Sequence, residues 1–366
     1  MFKRAVIIVG AAILLAGCSS TPTSPEEPIS SPPRSAGASS FNWTDPNAVK
    51  NFPGARSFRP VAPTARTYPT PSAPVTTWTS LNRWAAENRI SAPHRLSDTP
   101  VAAYEVNSPN GTMALEIGSR EAAWNDTVVN LGFAPEFIDD QVFVHGVDLQ
   151  KNIEPLLLGP PLTFGNRVIV IDPGHGGANL GTHSVFDGRL EKEFTLDWAK
   201  RLAPLLEQEG WQVFLTRTSD VTVSNLDRVV FAEAHHADLF ISLHFNSTPD
   251  RDKKPGGIET YCITPSGMPS SLTRGYPDLW SLVFPNNAYD AQNLQLAVRV
   301  HSALVRATGM EDRGVSHSRF DTVLRGQNRP AILIEGGFMS NSHEAKLIEN
   351  TEFRQKLAQA VADALR

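Results

Sequence analysis

Arg167-Val-Ile-Val-Ile-Asp-Pro-Gly-His-Gly-Gly177 decides how the rest of the chain is read. Four consecutive branched apolar residues, Val168 to Ile171, leave no polar face, which is the pattern of a strand buried on both sides in a parallel sheet. Asp172-Pro173-Gly174 then ends the strand, because proline cannot donate to a ladder and glycine tolerates the turn. His175 is thereby expected just past the carboxyl end of a central strand, between glycines that let another group approach. Ligands of open α/β sheets collect at that edge.

Downstream, apolar strands alternate with helical stretches, which predicts an α/β fold with a mainly parallel twisted sheet flanked by helices over 167–366. Glu191 to Glu209 reads as a helix with Leu190, Phe194, Trp198 and Leu202 at four-residue spacing, kinked at Pro204. Strands are expected at Trp211 to Thr216, Asp238 to Leu243, Ile258 to Ile263 and Ala331 to Ile334. Helices are expected at Ser224 to Ala234, Asn287 to Thr308, His343 to Glu349 and Glu352 to Leu365. Three of the buried strands end in a titratable group: His175, His244 and Glu335. In a parallel sheet these ends share one edge, and Glu191 opens the helix that leaves the same edge. Two imidazoles and one carboxylate form the three-ligand set of a catalytic zinc, with a fourth position open to water. A second carboxylate is then free to act as base.

Asp172-Pro-Gly-His-Gly-Gly177, Leu190-Glu-Lys192, Thr216-Arg217, Ser242-Leu-His-Phe-Asn246 and Ile334-Glu-Gly-Gly-Phe-Met-Ser-Asn341 occur in one unbroken order. In them the chain resembles the zinc-dependent N-acetylmuramoyl-L-alanine amidases, the family of the bacterial division amidases. The resemblance implies Zn2+ held by His175, Glu191 and His244, with Glu335 as catalytic acid/base. It also implies hydrolysis of the amide joining N-acetylmuramic acid to L-alanine of the peptidoglycan stem peptide, and an activator protein as a candidate partner. Glu193 competes with Glu191 but lies outside the family's Glu-Lys pair. His183 is a candidate for substrate contact, and Asn246 for orienting His244 or the substrate. Arg217 and Arg228 read as ion-pair partners, His235 and His236 as helix-end groups, and Cys262 as a core thiol. Two other readings compete: a zinc peptidase acting on stem peptides, and a non-catalytic peptidoglycan-binding lipoprotein.

Some division amidases carry an inserted helix whose glutamate plugs the zinc. The corresponding segment, Thr264 to Ala288, holds Asp278 as its only acid, so plugging by a glutamate is not expected. Trp280 and Phe284 in it are suited to lining a groove for glycan or peptide.

The N-terminal part sets the compartment. Lys3 and Arg4 precede an apolar run, Ala5 to Ala16, too short for a comfortable membrane span. It ends in Leu15-Ala-Gly-Cys18, which resembles a bacterial lipobox and implies a signal peptide over 1–18 with a diacylated Cys18. Ser19 after the cysteine implies the outer membrane, facing the periplasm. Residues 19–77, dominated by Pro, Ser, Thr and Ala, cannot bury enough surface to offset ordering entropy and read as a tether of roughly 40 Å. A small α+β domain is expected over 78–158: Ser80 caps a short helix, hairpin strands follow with a turn at Asp139-Asp140, and Asp148 caps a last helix. Thr79 to Leu158 resembles, by hydrophobic pattern, the small stalk-like domain named after the N-terminal region of copper amine oxidases. His94 and His145 in it read as surface or structural residues. A net charge of −5, with no basic run, gives no sign of nucleic-acid binding, and two cysteines, Cys18 and Cys262, supply no disulfide framework.

The lipobox reading has a direct test. Cys18→Ala should abolish lipid labelling and leave the protein out of the membrane fraction, since stable anchoring needs both acyl chains. A Cys18→Ala protein that fractionates with membranes like wild type refutes it.

Overall fold

The computed structural model describes residues 77–98, 101–249, 255–273, 275, 278–319 and 321–366. Cys18 and the tether up to residue 76 lie outside them. The described residues belong to one compact unit, Thr67–Arg366. Among them no helix is long and apolar enough to cross a membrane.

In chain order, β1 (Trp78–Ser80) leads into α1 (Leu81–Glu87), followed by β2 (His94–Ser97), β3 (Ala103–Ser108), β4 (Gly111–Glu116), β5 (Glu121–Trp124), β6 (Thr127–Asn130), β7 (Glu136–Ile138) and β8 (Gln141–His145). A helical run follows: α2 (Gly146–Asp148), a π-turn over Leu149–Ile153, and α3 (Glu154–Leu157). The second part contains β9 (Val168–Pro173), α4 (Glu191–Gln208), β10 (Gln212–Leu215), α5 (Asn225–Ala234), β11 (Leu239–Asn246) and β12 (Ile258–Ile263). After a 3-10 turn over Pro285–Tyr289 come α6 (Asp290–Thr308), β13 (Asp312–Ser318), α7 (Thr322–Arg325), β14 (Ala331–Phe338), α8 (Ser342–Glu349) and α9 (Thr351–Ala364).

Local chemistry accounts for most of these elements. Ser80 caps α1 by accepting from the Arg83 N–H, and Leu81, Trp84 and Ala85 are buried. Asp139 and Asp140 both take positive φ, 48° and 59°, as the two-residue turn between β7 and β8 requires. α4 runs through Pro204 to Gln208, so that proline does not end it. Asp148 is not the helix cap that its position suggests. Its carboxylate instead accepts from the N–H groups of Gly132 and Phe133 and from the Asn152 amide, and the His145 ring accepts from the Val147 N–H. His145 stacks on Phe133 at 3.9 Å, and burial holds its pKa below the usual imidazole value.

The sheet is α/β and flanked by helices, as expected, but it does not stop where the small domain was expected to end. One eleven-stranded sheet runs in the order β10-β9-β11-β14-β12-β13-β6-β5-β4-β3-β2, and β1, β8 and β7 form a second, three-stranded sheet. β10, β9, β11 and β14 are parallel, β12 is antiparallel to β14, and β13 pairs parallel to both β12 and β6. From β6 to β2 every pairing is antiparallel. One face carries Ile169, Ile171, Ile241, Leu243, Ile332 and Ile334 against Phe194, Trp198 and Leu202 of α4 and residues of α6 and α9. The other carries Val170, Phe240, Tyr261 and Leu333 against α5 and α7.

β13 had no signal in the sequence, because Asp-Arg-Gly-Val-Ser-His-Ser has one apolar residue. Hydrogen bonds take the place of apolar burial there. Fully buried His317 receives the Cys262 thiol at 3.3 Å on Nδ1 and pairs through Nε2 with Asn152 Oδ1 at 2.9 Å. Asn130 Nδ2 donates to the Val315 carbonyl and Asp312 accepts from the Val128 N–H. Removing residues 78–158 would therefore uncover the β13 edge and leave His317 and Asp312 short of partners. A 160–366 fragment should aggregate or melt more than about 10 °C below the full chain by circular dichroism. Equal melting temperatures would show the β6–β13 junction to be dispensable.

Candidate metal centre and its base

The edge of the sheet at the C-terminal ends of β9, β11 and β14 is shaped by one buried carboxylate. Asp172, 1% exposed, pairs with Arg228 and accepts from Thr216 Oγ1 at 2.5 Å and Ser242 Oγ at 2.8 Å. Arg228 also donates to the carbonyls of Pro173 and His175, so α5 grips the turn that carries His175. Arg217 is not the ion-pair partner expected of it. It donates to three carbonyls, of Pro173, Gly174 and Lys192, at 2.8–2.9 Å. His175 itself sits at φ 62°, a left-handed conformation that costs a non-glycine residue on the order of 1–3 kcal/mol and that this web sustains. Gly174 has no side chain because the His244 ring occupies that space.

Glu191 is the first residue of α4 and 3% exposed. Its Oε2 faces His175 Nε2 at 3.0 Å and accepts from the Thr182 N–H; its Oε1 faces His244 Nδ1 at 3.0 Å and accepts from the Phe245 N–H. Burial pushes its pKa up, yet the two imidazoles outweigh burial and hold it well below the ordinary carboxylate range. Burial likewise pulls His175 down, and the Glu191 carboxylate more than compensates, leaving it raised. One ligand atom from each of His175, Glu191 and His244 lies within 4.8 Å of the others, the spacing and donor set to hold a metal ion. Among the described residues no other such group forms.

His244 and Glu335 do not sit beyond their strands but inside them, because β11 runs on to Asn246 and β14 to Phe338. They are cross-strand partners in the parallel β11–β14 register, so the 5%-exposed Glu335 side chain emerges on the same face as His244. The remaining candidates go elsewhere. Glu193 caps α4 through the Leu190 N–H and pairs with Arg189. Exposed His183 bridges Leu190 in the loop before α4. Asn246 turns from His244 to donate to Glu259 Oε2 at 3.1 Å. His235 closes α5, its Nδ1 against the Phe231 carbonyl. Trp280 and Phe284 do not line this edge. β12 runs antiparallel to β14, so Thr264 to Ala288 emerges at the opposite end of the sheet, where Asn286 donates to the carbonyls of Gln327 and Arg329 just before β14. Asp278 there pairs with Arg319.

With the geometry in place, a family model described as N-acetylmuramoyl-L-alanine amidase matches residues 169–366. The chain belongs to the N-acetylmuramoyl-L-alanine amidase family. The amidase AmiC of Escherichia coli O6:H1 is 29% identical over 239 residues, covering 58% of this chain and 56% of AmiC. The amidase LytC of Bacillus subtilis is 33% identical over 198 residues, covering 54% of this chain and 34% of LytC. A solved N-acetylmuramoyl-L-alanine amidase from Clostridium difficile 630 is 33% identical, covers 55% of this chain and 96% of its own, and superposes with a TM-score of 0.45. The chain thus spans about half of AmiC and a third of LytC.

Two residues of this candidate site had no assigned role in the sequence. Glu259 announces itself only as a charge inside the otherwise apolar run Ile258 to Ile263. Asn179 lies four residues past His175 in a loop without pattern, and its Oδ1 meets His175 Nδ1 at 2.9 Å. A carbonyl oxygen can only accept, so His175 Nδ1 carries the proton and Nε2 presents its lone pair toward Glu191 and His244. Asn179→Ala should weaken divalent-metal affinity by about 10–100-fold while leaving the fold intact. Unchanged affinity by competition with a chelating dye would remove Asn179 from the metal site.

Proposed function

We propose that the protein is a peptidoglycan hydrolase that binds Zn2+ through His175, Glu191 and His244 and cleaves the amide between N-acetylmuramic acid and L-alanine of the stem peptide. The observation that carries this reading is the convergence of two imidazoles and a buried carboxylate, beside a second buried carboxylate on the next strand, in a chain of this family. The donor set of two nitrogens and one carboxylate oxygen suits zinc with an open position. Bound there, zinc supplies a Lewis acid and lowers the pKa of water from 15.7 to about 7. The chain does the rest. Glu191 keeps its charge while accepting from the Thr182 and Phe245 N–H groups, which hold its two oxygens toward the imidazoles. Asn179 fixes the His175 tautomer. Glu335 takes a proton from the attacking water and returns it to the departing nitrogen.

A lipid on Cys18 would place the domain in the bacterial cell envelope, with residues 19–77 as tether, at the outer membrane facing the periplasm. Because Thr264 to Ala288 leaves the sheet at the far edge, substrate access does not wait on that segment, and an activator protein would have to act elsewhere. A zinc peptidase would use the same four residues, and the mass of the released fragments separates the two.

Glu335→Gln keeps the shape of the side chain and removes a basic carboxylate. Turnover on purified peptidoglycan should fall by about 10²–10⁴ while zinc content stays at the wild-type level. His175→Ala or His244→Ala should lose both together. Near-normal turnover in zinc-replete Glu335→Gln would exclude Glu335 as the base, and loss of zinc from it would make it a ligand. Wild-type products cut within the stem peptide, rather than at its lactyl end, would overturn the amidase assignment.

A further inference from the structure

The row of groups that starts at His244 does not end at Glu335. Across β14 the next strand is β12, whose Glu259 is the direct antiparallel partner of Glu335. Direct partners share a face, with Cβ atoms about 4.5–5.5 Å apart. His244, Glu335 and Glu259 therefore stand in a line across three strands, each step about 4.8 Å. Glu259 is 8% exposed, and its Oε2 is held by Asn246 Nδ2 at 3.1 Å. That bond reaches across β14, from β11 to β12. A carboxylate has been fixed one strand beyond the base, on the side away from the metal.

We infer that Glu259 is the residue that holds the nitrogen released by the reaction, as the ammonium at the new N-terminus of the peptide. This rests on the amidase reading above. In that reading Glu335 must lie between two places: the water it deprotonates, on the His244 side, and the nitrogen it reprotonates. The line of residues leaves one side for the second, and Glu259 is what stands there. A carboxylate at that place suits a cation, because charge-assisted hydrogen bonds are the strong ones. An amide nitrogen carries no charge before cleavage, whereas an α-amine, with pKa about 7.7–8.0, is largely protonated at neutral pH. Glu259 therefore recognises product more strongly than substrate, and it is a positioning residue for the departing group.

The test uses the zinc-loaded full chain and two synthetic tripeptides beginning with L-alanine, one with a free α-amine and one N-acetylated. By calorimetry, wild type should bind the free amine at least about tenfold more tightly, the size expected of a hydrogen bond to a charged group. Glu259→Gln should shrink the preference to within about threefold without changing affinity for the acetylated peptide. Asn246→Ala, which removes one hydrogen-bond donor to the carboxylate without removing the carboxylate, should give a partial loss, and it carries the test should Glu259→Gln fail to fold. A preference absent from wild type, or undiminished in the variants, overturns the assignment. Product masses from wild type separate the causes. If the released peptide begins with a free alanine amine and the preference is still indifferent to Glu259, this assignment alone fails. If cleavage falls elsewhere, the amidase reading fails and this assignment with it.

Discussion

The site depends first on a buried charge that never meets substrate. Asp172 closes β9, and around it gather Thr216 from the strand on one side, Ser242 from the strand on the other and Arg228 from α5. A carboxylate taken out of water is tolerable only when it is paired and hydrogen-bonded, and the removal of one partner from such a pair typically costs about 3–5 kcal/mol. Here the requirement does structural work: three neighbouring stretches of the sheet and a helix are held in register by the need to satisfy one anion. The left-handed backbone of His175 is sustained by the same Arg228, which reaches its carbonyl. The placement of the candidate ligand His175 thus depends on an ion pair beneath it.

The parallel core was legible because burial on both faces writes itself as unbroken apolar runs, as in Val168 to Ile171 and Ala331 to Ile334. His175, His244 and Glu335 stood out for a related reason, each being a charge or imidazole just past such a run, whereas Glu191 stood out as the residue that opens the helix leaving the same edge. What stayed hidden had polar partners far away in sequence. β13 is a strand made of Asp, Arg, Gly, Ser and His around a single Val, and its burial is balanced by Asn130, Asn152 and Cys262. Asp148 looks like a helix cap by position, and only the fold shows that two backbone N–H groups from residues 132 and 133 claim it. Glu259 could be seen as odd but not placed, because a single sequence does not say that β12 runs against its neighbour.

Residue types alone would have misled elsewhere. Cys262, His317 and Asn152 form a thiol, imidazole and amide in hydrogen-bonded succession, the trio from which nucleophilic sites are built. Environment denies it that chemistry. Burial pushes the Cys262 thiol well above its ordinary value and lowers His317 to about 4, so both stay neutral at physiological pH. No thiolate forms, and all three residues are closed off from solvent. The trio serves as a polar rivet between the helical run after β8 and the strands β12 and β13.

The reversed direction of β12 separates two properties that loops near an active site usually confound. A parallel strand would have delivered residues 264–288 onto the rim where His175, Glu191, His244 and Glu335 converge, and every change of length there would have altered that rim. Running the other way, β12 brings Glu259 beside Glu335 and hands the following loop to the opposite pole. The hydrophobic tip at Leu279, Trp280, Leu282 and Val283 is exposed there. Sequence drift, insertion or the grafting of a foreign module at that tip is thereby insulated from the candidate site, and the protein has one pole to evolve and another to conserve.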